Sequence, residues 1–486
     1  MENKIKPDKY QKKAIRQNRK NLLILAGAGS GKTYTIVEKI KSLLKNNIKE
    51  EEILCISFTK KSSEDLQNKL KKQEVNIKVK TFHSLGYEII TRYKEVKLTN
   101  KKTLSNIIEK ELENYRNLKQ ITKINFITLG KEDTQIIKLQ DNIIMNTNYK
   151  EKIKNTIEKF INLYKSNNMN ISYYRKFEEM NNQNNIYEEK IIHKNFLKLT
   201  KKIIIKYTKI LKKRKEIDYH DMINQASNIL KRKQIFKYKY IIIDEYQDTS
   251  LNKIELIKEI QNQTKAKLIA VGDDYQSIYS FTGSNIDIII NFKKYFPKSK
   301  IIKLKKTYRN SKQLLKITNK FICKNPYQIR KKLKSDKSNN YPVTIYYYEK
   351  NIKEIWDKVV NNTKKEKVLI LGRNNKDINK IPYIKENMKF LTIHKSKGLE
   401  TDTTIIVNLE NKYNSLPNKI EDDELLSYVK PKQDEYKYSE ERRLFYVALT
   451  RCKNNNILLV KKGNPSEFIK EIIKNNKKKI KIIDKK

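Results

Sequence analysis

Short runs of hydrophobic residues, each bounded by polar or glycine-rich sequence, recur along this chain. Residues 22–26 form a continuous apolar run, and residues 33–44, which follow a glycine-rich turn, carry apolar side chains at helical spacing. Residues 53–58 and 240–244 are further apolar runs of strand length. Because continuous apolar strands are typical of parallel sheets covered on both faces, we expect all three runs in one sheet.

The pattern changes twice further along the chain. Residues 92–212 are rich in Lys and Asn, have helical apolar spacing and contain few turn signals, which predicts a helical insertion. After Pro297, strand-like runs at residues 300–304, 343–348, 368–371 and 403–409 alternate with helical stretches, which predicts a second α/β domain.

These changes predict the domain boundaries. The first domain would comprise residues 1–91 and 213–297, the helical insertion residues 92–212, and the second domain residues 298–470. The Lys- and Ile-rich end, residues 471–486, is compatible with a terminal helix or with a solvated basic tail, and we favour the tail.

Composition adds a strong positive charge. The 486 residues include 107 Lys and Arg against 55 Asp and Glu, a formal net charge of +52. Such a surface favours a polyanionic partner such as nucleic acid, although a biased composition, with abundant Lys, Asn, Ile and Tyr, is an equally good explanation of the charge alone. Cys55, Cys323 and Cys452 are far apart and form no CxxC pair, so neither a zinc module nor a disulfide framework is indicated. No apolar run approaches the length that spans a bilayer, and we expect a cytoplasmic protein without membrane contact.

The glycine-rich turn fits a phosphate-binding loop. It consists of Ala26, Gly27, Ala28, Gly29, Ser30, Gly31, Lys32 and Thr33, with alanine in place of the first glycine of the strict pattern. Glycines let backbone N–H groups turn toward phosphates, Lys32 would reach the β- and γ-phosphate oxygens, and the Thr33 hydroxyl would ligate Mg²⁺. The turn holds three of the chain's 10 glycines, which makes a chance match a poor explanation. The sequence therefore predicts a bound nucleotide.

Two acids follow the apolar run at residues 241–243. Asp244 and Glu245 would lie at the C-terminal edge of a parallel sheet, where phosphates bind in P-loop proteins. Asp244 suits a Mg²⁺ ligand, and Glu245 is placed to orient and deprotonate the water that attacks the γ-phosphate. An Asp-Glu pair alone is common in solvated loops, but the phosphate-binding loop strengthens the catalytic interpretation.

With those two elements in place, the chain resembles the UvrD/Rep family of superfamily 1 DNA helicases. The segments that carry the resemblance occur in the family's order at residues 10–14 (Tyr-Gln-Lys-Lys-Ala), 56–61 (Ile-Ser-Phe-Thr-Lys-Lys), 81–84 (Thr-Phe-His-Ser), 271–281 (Val-Gly-Asp-Asp-Tyr-Gln-Ser-Ile-Tyr-Ser-Phe), 307–310 (Thr-Tyr-Arg-Asn), 392–400 (Thr-Ile-His-Lys-Ser-Lys-Gly-Leu-Glu) and 447–451 (Val-Ala-Leu-Thr-Arg). The resemblance implies an α/β fold of two RecA-like P-loop domains with parallel sheets and a helical insertion in the first.

The resemblance also implies roles in ATP chemistry. Contacts to adenine and ribose would come from Gln11, Tyr308 and Glu400. Contacts to the γ-phosphate would come from Gln276, Arg309 and Arg451, which complete a catalytic set with Lys32 and Glu245. The two arginines, brought from the second domain, would stabilise the charge of the phosphoryl-transfer transition state, so that domain closure and chemistry are one event.

The remaining motifs imply contacts to single-stranded DNA. The residues concerned are Phe58, Thr59, Thr81, His83, Tyr279, Phe281 and His394. Their hydroxyl and ring groups would contact phosphates and base faces, and Tyr279 and Phe281 would stack on bases at roughly 1–3 kcal/mol per base, whatever the sequence.

The chain departs from the family at two places. Thr282 stands where the family usually has arginine, which puts in doubt the coupling at that corner. Larger relatives insert a regulatory helical subdomain between the arginine motif and the His-x-x-Lys-Gly-Leu-Glu motif, whereas Arg309 and His394 are here only 85 positions apart (394 − 309). We therefore expect that subdomain to be absent or vestigial.

The resemblance implies an ATP- and Mg²⁺-dependent helicase that moves 3′ to 5′ on single-stranded DNA, acts at DNA junctions and could work as a monomer. Two alternatives stay open: a translocase that displaces proteins with little unwinding, and a catalytically silent DNA-binding scaffold. An RNA substrate is also conceivable, because phosphate contacts and stacking do not select the sugar.

Overall fold

The computed structural model of the chain describes residues 6–113, 147–430 and 434–484. Its strands are β1 (Asn21–Ala26), β2 (Ile53–Ser57), β3 (Val79–Thr81), β4 (Lys97–Leu98), β5 (Glu216–Ile217), β6 (Tyr240–Ile243), β7 (Lys267–Gly272), β8 (Ser299–Leu304), β9 (Val343–Tyr348), β10 (Val368–Gly372), β11 (Met388–Thr392), β12 (Thr401–Ile406), β13 (Cys452–Lys461) and β14 (Ile480–Ile483).

The helices, in chain order, are α1 (Lys9–Arg16), α2 (Lys32–Lys45), α3 (Lys60–Lys71), α4 (Phe82–Thr91), α5 (Lys102–Leu112), α6 (Thr147–Ser166), α7 (Tyr173–Asn182), α8 (Tyr187–Lys213), α9 (Tyr219–Leu230), α10 (Leu251–Thr264), α11 (Asp287–Ile290), α12 (Phe292–Tyr295), α13 (Lys312–Ile322), α14 (Lys353–Asn361), α15 (Ser439–Leu449) and α16 (Glu467–Asn476). Among the described residues, none of these helices is both long and apolar enough to cross a bilayer.

The first sheet has the strand order β3-β2-β6-β7-β1-β8, and its neighbouring strands are parallel. Strands β1, β2 and β6 are buried at every position, because helices cover both faces of the sheet. All three predicted apolar runs therefore lie in one sheet. Their carboxyl ends meet at a single edge, and that edge carries the phosphate-binding loop and Asp244-Glu245.

The second sheet has the order β11-β10-β12-β13-β9-β14 and is likewise parallel. Helices α13, α15 and α16 pack against one face with a large apolar core, and the single tryptophan, Trp356 of α14, lies in the core on the other face. Two parallel six-stranded sheets confirm the predicted fold class of two RecA-like domains.

Two predicted boundaries are wrong. The strand at residues 300–304 was expected in the second domain, but β8 pairs with β1 at the edge of the first sheet. Residues 471–486 were expected to be a basic tail, but they contain the end of α16 and strand β14, which pairs with β9. Both strands are edge strands that combine lysine with isoleucine, and one-sided burial with charged outer positions makes such strands resemble solvated sequence.

Helices α5 to α8 form the predicted insertion, with α8 ending one residue beyond its predicted boundary. Residues 114–146 of the insertion lie outside the described residues. At the base of these helices, β4 pairs with β5 in parallel and joins the two ends of the insertion. The helices share an apolar core of their own, built around Phe160, Phe177 and Phe196.

A segment of the second domain completes that core. The docking segment, residues 422–430, lies between β12 and α15, and its Leu425, Leu426, Tyr428 and Val429 are buried among the insertion helices. Asn167, the residue after α6, donates a hydrogen bond of 2.6 Å to the Val429 carbonyl, and the Tyr428 hydroxyl lies 2.8 Å from Nδ1 of His193. The insertion thus contacts both domains.

Leu426→Ala should loosen this contact. The side chain is 1% exposed, and removing a buried leucine costs about 2–5 kcal/mol. Hydrogen exchange of the α6 and α8 amides should therefore become at least about tenfold faster, since 1.4 kcal/mol corresponds to a factor of ten. Ile420→Ala, at a neighbouring position that is 57% exposed, is the control and should leave exchange unchanged. Equal exchange in both variants would show that the segment does not stabilise the insertion.

Candidate nucleotide and strand-binding sites

The phosphate-binding loop connects β1 to α2. Gly29 and Gly31 have φ angles of +69° and +78°, the left-handed region that glycine adopts without strain. A side chain at Gly29 would also collide with Arg309 of the second domain, which crosses directly over the loop. Two residues before Arg309, Thr307 Oγ1 donates a hydrogen bond of 2.8 Å to the Ala28 carbonyl of the loop. The second domain therefore forms one wall of the loop.

Lys32 and Glu245 form an ion pair at the centre of the cleft. Lys32 Nζ lies 2.9 Å from both carboxylate oxygens of Glu245. Burial opposes the charge of Lys32, but Glu245 and Asp244 outweigh it and raise its pKa above the ordinary value. Burial likewise opposes the charge of Glu245, yet Lys32 and Lys397 lower its pKa to about 2. Glu245 is therefore ionised at neutral pH, as a general base must be.

The backbone holds Glu245 in an unusual conformation. Its φ is +51°, which an L side chain adopts only where the surroundings enforce it. Gln247 Nε2 donates a hydrogen bond of 2.6 Å to the Glu245 carboxylate, and Gln247 Oε1 accepts one of 2.9 Å from the Asp273 N–H. These bonds fix the carboxylate over Lys32. Next to it, burial and the charge of Glu245 raise the pKa of Asp244 to about 6.

Groups from the two domains meet across the cleft. Arg451 Nη2 donates a hydrogen bond of 3.0 Å to Gln276 Oε1, and burial together with Arg309 lowers the Arg451 pKa to about 9. Arg309 makes an ion pair of 3.0 Å with Glu400 and donates a hydrogen bond of 3.2 Å to the Thr450 carbonyl. The predicted catalytic side chains Lys32, Glu245, Gln276, Arg309 and Arg451 all line one cleft of about 710 Å³.

The predicted adenine contacts lie at one end of that cleft. Gln11 Nε2 donates a hydrogen bond of 3.2 Å to the Ser30 carbonyl, and its Oε1 accepts one of 2.9 Å from the Asp8 N–H. The amide keeps a second N–H and a second lone pair, the groups that a base edge needs. The Tyr308 hydroxyl donates a hydrogen bond of 2.9 Å to Asp8, and its ring is 43% exposed.

Most of the predicted nucleotide contacts line the cleft, but three do not. The lining includes Gln11, Ala28, Gly29, Ser30, Gly31, Lys32, Thr33, Tyr308 and Glu400. Ala26 is buried as the last residue of β1, and Gly27 faces Leu333. Asp244 lies behind Glu245, and its carboxylate accepts a hydrogen bond of 2.9 Å from the Glu245 N–H. Asp244 and Thr33 offer oxygen donors, the ligand type that Mg²⁺ prefers, so the donor set fits that ion.

A second groove, of about 870 Å³, carries the predicted aromatic contacts Tyr279, Phe281 and His394. The Phe281 and His394 rings meet edge to face at 5.5 Å, and the Tyr279 hydroxyl donates a hydrogen bond of 3.1 Å to the His394 carbonyl. Phe58 stacks on Tyr279 at 5.8 Å, so each ring covers one face of the other. Phe281, which is 51% exposed, presents the most open ring of the group.

The other three predicted strand contacts are not among the residues that line this groove. Thr59 and Thr81 cap the N-termini of α3 and α4, where backbone N–H groups favour a phosphate. His83, in the first turn of α4, packs edge to face against Tyr219 at 5.3 Å. Because β2 and β3 are paired, the two capped helix ends are neighbours.

Thr282 is exposed and makes its side-chain hydrogen bond within its own turn. Its hydroxyl donates a hydrogen bond of 2.8 Å to the Tyr279 carbonyl within the same turn. The contact between domains at this corner is made instead by Ser280, whose N–H and hydroxyl both bind the Glu440 carboxylate of α15. The turn is therefore tied to the second domain without the family's arginine.

Sequence reasoning missed three lysines. Lys397 of the second domain lies 2.5 Å from Asp248 and 2.7 Å from the Gln276 carbonyl, with the Tyr279 ring 4.8 Å away. Lys253 lies 4.3 Å from the centre of the Phe58 ring. Lys331 is buried beside Asp273 and Asp274. Lysine is so abundant in this chain that composition could not single them out, although Lys397 lies within the recognised His394–Glu400 motif.

Comparisons with known proteins agree with this geometry. The sequence model of the UvrD/REP helicase N-terminal domain matches residues 8–297, and that of the UvrD-like helicase C-terminal domain matches residues 382–462. DNA helicase IV of Escherichia coli (strain K12) is 28% identical over 485 residues, which cover 96% of this chain and 69% of that protein.

Two further relatives are similar over smaller shares of their length. ATP-dependent DNA helicase Rep of Buchnera aphidicola subsp. Acyrthosiphon pisum (strain APS) is 32% identical over 433 residues, 83% of this chain and 61% of the relative. ATP-dependent DNA helicase PcrA of Leuconostoc citreum is 26% identical over 349 residues, 69% of this chain and 41% of the relative. The chain thus spans 41–69% of the length of these three relatives.

The two histidines of the strand motifs should be neutral at physiological pH. Burial and neighbouring cations, Lys253 for His83 and Arg373 for His394, lower both pKa values to about 4. In NMR spectra of histidine-labelled protein, the Hε1 resonances of both rings should therefore stay constant from pH 8 to 5.5. His83→Asn and His394→Asn assign the signals. A titration midpoint near 6.5 for either ring would contradict the buried, uncharged environment.

Proposed function

Since the chain belongs to the UvrD/Rep family of helicases, we propose that it is an ATP-driven motor that moves 3′ to 5′ along single-stranded DNA. The observation that carries the proposal is the cleft between the domains, where Lys32, Glu245 and Gln276 of the first face Arg309 and Arg451 of the second. Each side of the cleft supplies only part of the catalytic set. Hydrolysis would then require closure, and closure would move the domains relative to each other.

The ion pair of Lys32 and Glu245 suggests how the cleft responds to ATP. The β- and γ-phosphate oxygens offer Lys32 a stronger anionic partner than one carboxylate. When Lys32 binds them, Glu245 is released to accept a proton from the attacking water. Mg²⁺, for which Thr33 and Asp244 would supply oxygen ligands, would neutralise charge on the phosphates when bound.

The arginines would complete the transition-state contacts. Arg451 is buried and held by a neutral amide, so a γ-phosphate oxygen would be a better partner for its charge than Gln276. Arg309 is held by Glu400, the predicted ribose contact. Nucleotide binding would therefore rearrange contacts of the second domain on both sides of the cleft.

The second groove, the strand groove around Tyr279, Phe281 and His394, would respond to the same motion. Tyr279 and Phe281 belong to the first domain and His394 to the second, and Lys397 joins the His394 turn to Asp248 and Gln276. A displacement of Gln276 would therefore move the His394 turn and the rings that would stack on bases. Stacking ignores base identity, which suits a motor that must pass any sequence.

The spacing within the second domain favours a second candidate, a translocase that displaces proteins with little unwinding. Between Arg309 and His394 the structure contains the helices α13 and α14 and the strands β9, β10 and β11. The strands belong to the second sheet, and the helices cover that sheet. The structure describes every residue from Arg309 to His394, and this interval contains no additional helical subdomain. The regulatory insertion expected from larger relatives is therefore lacking at this place.

ATP hydrolysis should be strongly stimulated by single-stranded DNA. Lys32→Ala and Glu245→Gln should each reduce stimulated turnover by at least about 100-fold, because each removes a catalytic group, while salt-dependent DNA binding is retained. Steady-state ATPase assays measure turnover, and fluorescence anisotropy at two salt concentrations measures DNA binding. Stimulation of ATP hydrolysis by DNA and by RNA oligomers of the same sequence shows whether the protein distinguishes deoxyribose from ribose. DNA binding without turnover in the unaltered chain would instead support a silent scaffold.

The motor and unwinding activities can be separated on matched substrates. Displacement of streptavidin from the 5′ end of a biotinylated single strand should require ATP and exceed displacement from the 3′ end. Unwinding of a duplex with a 3′ single-stranded tail then decides between helicase and translocase. Faster displacement from the 3′ end would contradict the proposed direction.

A further inference from the structure

A buried cluster of charges lies beside the nucleotide cleft. Lys331 Nζ forms ion pairs with both Asp273 and Asp274, and all three side chains are at most 1% exposed. Its ammonium group also lies 3.6 Å from the centre of the Tyr275 ring. Burial opposes the charge of Lys331, but the two carboxylates outweigh it and raise its pKa. Removing the lysine from this cluster would leave two buried carboxylates without a compensating cation.

Only one of the two carboxylates connects the cluster to the cleft. Asp273 Oδ2 accepts a hydrogen bond of 2.6 Å from Gln276 Nε2, and Gln276 Oε1 accepts one of 3.0 Å from Arg451. The Gln276 amide is therefore held at both ends. Asp274 instead accepts a hydrogen bond of 2.8 Å from the Ile329 N–H. The two acids share a lysine but differ in their contact with Gln276.

Lys331 belongs to a segment that contacts other walls of the cleft. The return segment, residues 329–335, lies between α13 and β9. Its Leu333 packs against Gly27 of the phosphate-binding loop. The Lys334 carbonyl accepts a hydrogen bond of 2.9 Å from the Thr307 N–H, two positions before Arg309. Lys331 thus lies in a segment that touches both the loop and the arginine motif.

We propose that Lys331 is a positioning residue: its ammonium group fixes Asp273, and Asp273 fixes the Gln276 amide in the cleft. Without the cation, two adjacent buried carboxylates repel each other, and Asp273 can no longer hold Gln276 toward the γ-phosphate. ADP lacks that phosphate, so its binding does not need an oriented Gln276. The inference rests on the proposed ATPase activity and adds a residue that no recognised motif contains.

Asp273→Asn and Asp274→Asn form a matched pair, because both are isosteric changes at buried partners of the same lysine. Lys331→Met removes the cation, and Lys332→Met removes the neighbouring exposed charge as a control. DNA-stimulated kcat should fall about 10- to 100-fold in Lys331→Met and Asp273→Asn, the effect of misplacing a catalytic group by about 1 Å. Asp274→Asn and Lys332→Met should stay within about threefold, and ADP affinity should be unchanged in all four.

The inference is overturned if Asp274→Asn lowers kcat as far as Asp273→Asn, or if Lys331→Met keeps the unaltered kcat. Should Lys331→Met fail to fold, the asparagine pair decides alone, since both variants retain the lysine. An unaltered chain without ATPase activity would overturn the proposed function and this inference together. An active chain that is sensitive to Glu245→Gln but equally tolerant of both asparagines would overturn only the role of Lys331.

Discussion

The arrangement of both sites depends on a buried hydrogen bond between the two sheets, which Arg451 donates to Gln276 over 3.0 Å. Gln276 lies just beyond β7 of the first sheet, and Arg451 lies between α15 and β13 of the second. A buried guanidinium needs acceptors, and here they are the Val447 and Leu399 carbonyls, the Thr450 hydroxyl and the neutral amide of Gln276. The described hydrogen-bond partners of Arg451 include no carboxylate that would neutralise the cation. A triphosphate oxygen would therefore be a favourable partner for it.

The His394–Glu400 motif connects that cleft to the strand groove. His394 packs against the exposed ring of Phe281, and Lys397 binds Asp248 and the Gln276 carbonyl. Glu400, at the end of the motif, binds Arg309. One short segment of the second domain therefore contacts both sites, and a displacement of the second sheet would change both at once. The docking segment of the second domain packs into the core of the helical insertion and adds a separate contact between the domains.

Sequence patterns predicted the sheets and the cleft well where the signal is local. Continuous apolar runs identified β1, β2 and β6, and glycine spacing identified the phosphate-binding loop. Edge strands β8 and β14 were misplaced, because the sheet that a strand joins depends on distant partners rather than on its own residues. Lys331 was missed for the same reason: its role comes from Asp273 and Asp274, which are more than 50 positions away. The Ser280–Glu440 contact likewise could not be foreseen from Thr282 alone.

If one closure of the cleft serves both nucleotide and strand, ATP and single-stranded DNA must each change the affinity for the other, and reciprocal binding measurements test this coupling. In Glu245→Gln, which should bind ATP without hydrolysing it, the affinity for single-stranded DNA is measured with and without ATP, and the affinity for ATP with and without DNA. Thermodynamic linkage requires that each ligand change the affinity for the other by the same factor. A shared closure predicts a factor of about 5–150, which is lost when Arg451→Ala is added. Affinities that are independent of each other would contradict a shared closure.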